Sequence, residues 1–162
     1  MSATGSATAT ARMKAQRRRP MQCSVTVETY RLDPLYPKIV RATASILERD
    51  KIVAPVEVLV RLRLLAQGDL EDWRHGRVPY LEGVIQGNLT RLSRLLRILR
   101  FHAHDLNLKP SWTAYVRRGK GPRQRLRFTK SGEPKLEKVY ATHFVWPGKR
   151  PFHAPSAKET AG

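Results

Sequence analysis

Apolar residues recur at three- and four-residue spacings over most of the chain, and past residue 110 the spacing changes to two. Ile39, Val40, Ala44, Ile46 and Leu47 predict a helix over residues 36–50, entered through Asp33-Pro34-Leu35-Tyr36-Pro37 and broken at Asp50-Lys51. Pro55 suits the first position of a second helix, which carries Val56, Leu59, Val60 and Leu64 on one side and is expected to end near Gly68. Asp69, Glu71 and Asp72 then fill one helical first turn, where the helix dipole favours carboxylates. That placement accounts for the acidic trio without catalysis. Trp73 anchors this short helix and Gly76 ends it. Pro79 opens a further piece over residues 80–85, separated by Gln86-Gly87-Asn88 from a long helix over residues 89–106.

The long helix is the most informative element. At about 100° per residue with Arg91 at zero, Leu89, Leu92, Leu95, Leu96, Leu99, Ala103 and Leu106 fall within an arc of about 120°. Arg91, Arg94, Arg97 and Arg100 occupy the opposite half, and the first acid is Asp105, near the end. Solvated helix faces ordinarily mix both signs of charge; this one does not.

Beyond Pro110, Trp112, Ala114 and Val116 alternate with Thr113, Tyr115 and Arg117, which reads as a strand with the first set inward. Gly119-Lys120-Gly121-Pro122 supplies a turn. On the return strand Leu126 and Phe128 face inward, with Arg123, Arg125 and Arg127 outward. Ser131-Gly132-Glu133-Pro134 starts a last helix with Leu136, Val139, Tyr140 and His143 as its inward stripe, ended by Trp146-Pro147. The expected core includes Leu92, Leu95, Leu96, Leu99, Trp112, Leu126 and Phe128.

Composition sharpens the picture through the distribution of charge. The net +18 comes from 31 Lys and Arg against 13 Asp and Glu. Residues 28–87 are neutral, with nine of each sign, whereas residues 88–135 hold thirteen basic and two acidic side chains. Segregation of this kind is the footprint of a polyanion-binding face. Residues 1–29 read as a disordered basic arm and 147–162 as a disordered tail, leaving one domain over 30–146. No apolar run approaches a membrane span, so no membrane partner is expected. The single cysteine, Cys23, fits a reducing compartment, and the expected location is cytoplasmic. The basic, acid-free start is compatible with organellar import, but an over-extended gene start is preferred, with Met13 and Met21 following closely.

These readings define an α+β fold: a mostly helical N-terminal half, a long basic helix, a β-hairpin and a C-terminal helix. Helix, turn, Arg-rich helix and basic hairpin follow the order of a winged helix-turn-helix, a similarity of topology. The expected function is non-enzymatic nucleic-acid binding, DNA ahead of RNA. Arg91, Arg94, Arg97 and Arg100 would act from the helix, and Arg117, Arg118, Lys120, Arg123, Arg125 and Arg127 from the hairpin. RNA or ribosome association is the alternative, with Tyr115 as the best stacking candidate because alternation turns Trp112 and Phe128 inward. A metal-dependent nuclease using His104 and Asp105, or an adaptor for an acidic protein partner, are further alternatives. His102 and His104 lie about 200° apart on a helix and cannot share one metal there. No cofactor, catalytic residue or metal ligand is expected.

Overall fold

The computed structural model describes residues 25–149; the expected tail beyond residue 149 and most of the basic arm, with Cys23, lie outside them. Among the described residues the fold is α+β. It has five α-helices: α1 (Tyr36–Arg49), α2 (Pro55–Arg61), α3 (Gln67–Arg74), α4 (Leu89–Asp105) and α5 (Pro134–Ala141). The three strands are β1 (Ile52–Val53), β2 (Lys109–Trp112) and β3 (Thr142–Val145). None of these helices is long and apolar enough to cross a membrane.

Helices α1 and α4 form as their periodicity requires. α1 buries Ile39, Ala42, Thr43, Ile46 and Leu47 against α2, β1 and α4. On α4, Leu92, Leu95, Leu96, Leu99 and Ala103 are buried, as are Ile98 and His102. Ile98 and His102 widen the buried arc to about 160°. Leu89 sits at the first position of α4, where little lies against it, and is exposed.

Two expected helices change. α2 stops at Arg61 instead of running to Gly68. Arg63 adopts a left-handed φ of 60°, and the backbone nitrogens of Leu64 and Leu65 both turn back to the Leu59 carbonyl. The reversal buries Leu65 and puts Gly68 inside α3. Residues 80–85 form only a 3-10 turn, Leu81–Gly83. Six residues nucleate a helix poorly, and here the Leu81 and Glu82 nitrogens donate outward, to the Arg127 and Phe128 carbonyls. Gly76 does end α3, at φ 76°.

The sheet order is β1-β3-β2, all antiparallel. β3 was expected to be the end of the last helix. Instead α5 stops at Ala141, and Thr142–Val145 becomes the central strand, pairing Val53 with Phe144 on one side and Trp112 with Thr142 on the other. β-Branched and aromatic residues favour that conformation, and two neighbouring strands complete it. Pro110 sits on β2, an edge strand, where its missing N–H is tolerated. Leu136 and Val139, expected inward on α5, are partly exposed, whereas Tyr140 is buried.

The hairpin also departs from expectation. β2 pairs with β3, so the turn-back over residues 113–128 is held by a single bridge, Val116 with Arg125. Hydrogen bonds from Arg117 N to Gln124 O and from Leu126 N to Tyr115 O flank it, each 2.8 Å. Its first strand faces the other way. Tyr115 points in, packing edge-on to Phe128 at 5.1 Å and against Trp73 at 5.4 Å, and Phe128 stacks on Tyr140 at 5.3 Å. Trp112 points out with half its surface exposed, so it does not belong to the core. Alternation places residues on two faces without naming the inner one; the aromatic cluster around the fully buried Trp73 decides it.

Candidate functional site

The candidate site residues are the exposed cations of α4, the hairpin and α5. Asn88 caps α4, its Oδ1 accepting from Arg91 N at 2.7 Å, which fixes the start of the arginine face. Arg91, Arg97 and Arg100 are exposed and have no carboxylate partner among the described residues. Arg94 differs. Its Nε lies 3.1 Å from Asp33 Oδ2, close enough for an ion pair although the N–H is not aligned for a hydrogen bond. Asp33 is itself mostly buried, and its other oxygen accepts from Leu35 N. Arg94 therefore docks α4 on the segment leading into α1.

The hairpin cations divide in the same way. Arg118, Lys120, Arg123, Arg125 and Arg127 are exposed. Arg117 lies inward: its Nε donates to the His75 carbonyl at 3.2 Å and its stem lies over Gly76. With the bond from Arg118 N to the Arg74 carbonyl, this fastens the hairpin tip to the end of α3. The return strand is fastened at Arg127, whose carbonyl accepts from Trp73 Nε1 at 2.7 Å.

Two acids near the hairpin, Glu137 and Glu82, are turned inward. Glu137 accepts from the Phe128 and Thr129 nitrogens and the Thr129 hydroxyl. Glu82 accepts from Lys130 N and the Tyr140 hydroxyl, both at 3.2 Å. Burial and these two carboxylates push the Tyr140 phenol well above its ordinary value. Both carboxylates thus serve the backbone and a phenol, and neither forms an ion pair with a hairpin cation.

Sequence reasoning missed Lys135 and Lys138. With Arg100 they border a groove of about 660 Å³ between α4 and α5, floored by Leu96, Leu99 and Phe144. Lys138 also lines a second groove, of about 890 Å³, with Trp112, Arg125 and Arg127. Arg100 of α4 is thereby linked through Lys138 of α5 to Arg125 and Arg127 of the return strand. The i, i+3 spacing of Lys135 and Lys138 on a helix was the available signal.

The histidines lie apart. His102 is buried beside Tyr36 and burial lowers its pKa, whereas His104 is exposed and Asp105 pairs with Arg31 at 2.7 Å. Among the described residues no group of three or more His, Cys, Asp or Glu is placed to hold a metal ion. A third hollow is lined by Glu57, Arg74, Tyr115, Arg118 and His143. Burial pushes the Tyr115 phenol up to about 12 and His143 down, which favours the neutral form of both, and the Tyr115 hydroxyl and His143 Nε2 share a hydrogen bond of 2.6 Å.

Comparison with known proteins finds no match to this chain among family models, curated proteins or solved structures.

Proposed function

We propose that this protein binds nucleic acid without chemistry, holding phosphates with the cations of α4, the hairpin and α5. The observation that carries the reading is the lack of countercharge. Eight exposed side chains, Arg91, Arg97, Arg100, Arg118, Lys120, Arg123, Arg125 and Arg127, have no carboxylate partner among the described residues, while nearby Glu82 and Glu137 are occupied internally. A solubility surface would interleave both signs. Phosphates would supply the missing countercharge, and guanidinium forks suit them.

A winged helix-turn-helix plan for DNA is supported by the element order and by β3 lying between β1 and β2. In that plan α4 is the recognition helix, α3 takes the supporting role first expected of residues 80–85, and residues 113–128 are the wing. Arg94 and Arg117 then position the surface, and the exposed arginines contact the ligand.

Contact with six to eight phosphates gives a slope of log affinity against log salt of about −5 to −7 on duplex DNA. A slope near zero, or no binding at low salt to either duplex or single-stranded nucleic acid, overturns the proposal and favours an acidic protein partner. Replacing Arg123, Arg125 and Arg127 together by Gln is expected to flatten the slope by about 3.

A further inference from the structure

Trp112 combines features that the fold does not require of it. It lies on β2 with 51% of its surface exposed, where a tryptophan serving the core would be covered. The Arg125 guanidinium sits 5.1 Å from its ring centroid. Ring and guanidinium line the same open groove, about 890 Å³, with Arg127, Gly132, Pro134 and Lys138. Glu137 also borders the groove, with its carboxylate held by Phe128 and Thr129.

We infer that this groove is a stacking site for an unpaired nucleobase, so that the bound nucleic acid presents a single-stranded stretch to the hairpin. This rests on the nucleic-acid reading above and narrows it. An exposed indole offers a flat apolar face, and the planar Arg125 guanidinium lying over the ring adds a second stacking surface in the same groove; bases stack on both kinds of group. Arg127 and Lys138 flank the platform where the phosphates on either side of a stacked base would run. Inside a duplex the base faces are occupied by their neighbours, so a splayed base uses the site and a paired one does not. The groove also has room, since it is several times the size of one base.

The test uses the full chain and labelled oligothymidylate of about 15 nucleotides, set against an abasic strand of equal length and therefore equal phosphate charge. Removing the bases is expected to weaken binding about 5- to 100-fold at fixed salt, with the two salt slopes unchanged. Trp112→Ala should abolish that preference, and Trp112→Phe should restore most of it. Equal binding of both strands overturns the stacking site while leaving phosphate binding in place. A base preference that survives in Trp112→Ala overturns the assignment to Trp112. Failure of both strands to bind at low salt while duplex DNA binds overturns the single-stranded site alone, and failure of duplex DNA as well removes the nucleic-acid reading. Should Trp112→Ala fail to fold, ultraviolet crosslinking of the unaltered protein to 5-iodouracil-bearing strands decides: adducts at Trp112 are expected, and adducts only elsewhere refute the site.

Discussion

The Glu137 carboxylate lies 2.7 Å from the Thr129 hydroxyl and 2.8 Å from the Thr129 backbone nitrogen, so a side chain of α5 ties down the far end of the basic hairpin. Thr129 is fully buried, and its donors cannot turn to water if that carboxylate is lost. Glu137→Ala is expected to lower the unfolding free energy by about 2–3 kcal/mol, because buried donors lose a charged acceptor. Glu137→Gln, which keeps one acceptor oxygen, should cost less. Urea titration checks both, and a loss near zero for the alanine variant would refute this account of the hairpin.

Trp73 supports the other side of the same strand. Trp73→Ala should cost about 3–5 kcal/mol through the cavity it leaves. Trp73→Phe keeps most of the packing but loses the donor to the Arg127 carbonyl, which still accepts from Leu81 N at 3.2 Å. A loss of about 1–2 kcal/mol is therefore expected. Equal losses for the two variants in thermal or urea unfolding would contradict the geometry.

Stability should fall on the acid side of neutrality. Burial holds His102 and His143 below the ordinary 6.5, and the charge of Asp105 opposes the shift at His102 only in part. Each imidazole is more readily protonated unfolded than folded. Their contribution is complete above pH about 6.5 and is lost as pH falls through the lowered folded-state values. Replacing both by Gln should flatten stability against pH just below that point. An unchanged profile would show that neither histidine is held neutral by the fold.

Arg94 and Arg97 give a matched comparison on α4. Arg97→Gln is expected to reduce the salt slope of nucleic-acid binding by about 1, whereas Arg94→Gln should leave it nearly unchanged. A double-mutant cycle between Arg94 and Asp33 should return about 1 kcal/mol or less, since the arginine is substantially exposed. Equal loss of slope in both variants would place Arg94 at the ligand.

How much of this the sequence determined depends on the distance between partners. Helices α1 and α4 were legible because a 3.6-residue repeat is written within a few turns, and the arginine face of α4 followed from the same repeat. Residues 113–128 were legible as a turning, basic segment, since Gly119 and Gly121 are local signals. The tertiary structure alone decided which face of that segment turns inward. A period of two divides residues between faces equally well in either sense, and it is the packing of Tyr115 on Trp73, Phe128 and His143, distant in sequence, that draws it in and leaves Trp112 out. Strand β3 was hidden for the same reason, its partners lying about 30 and 90 residues upstream of it. The roles of Glu82, Glu137, Asp33 and Arg94 were hidden too, because a charge count records how many carboxylates a segment holds and not which backbone groups they face. The basic surface thus has its composition from the sequence, while its shape and its exposed tryptophan come from contacts between distant parts of the chain.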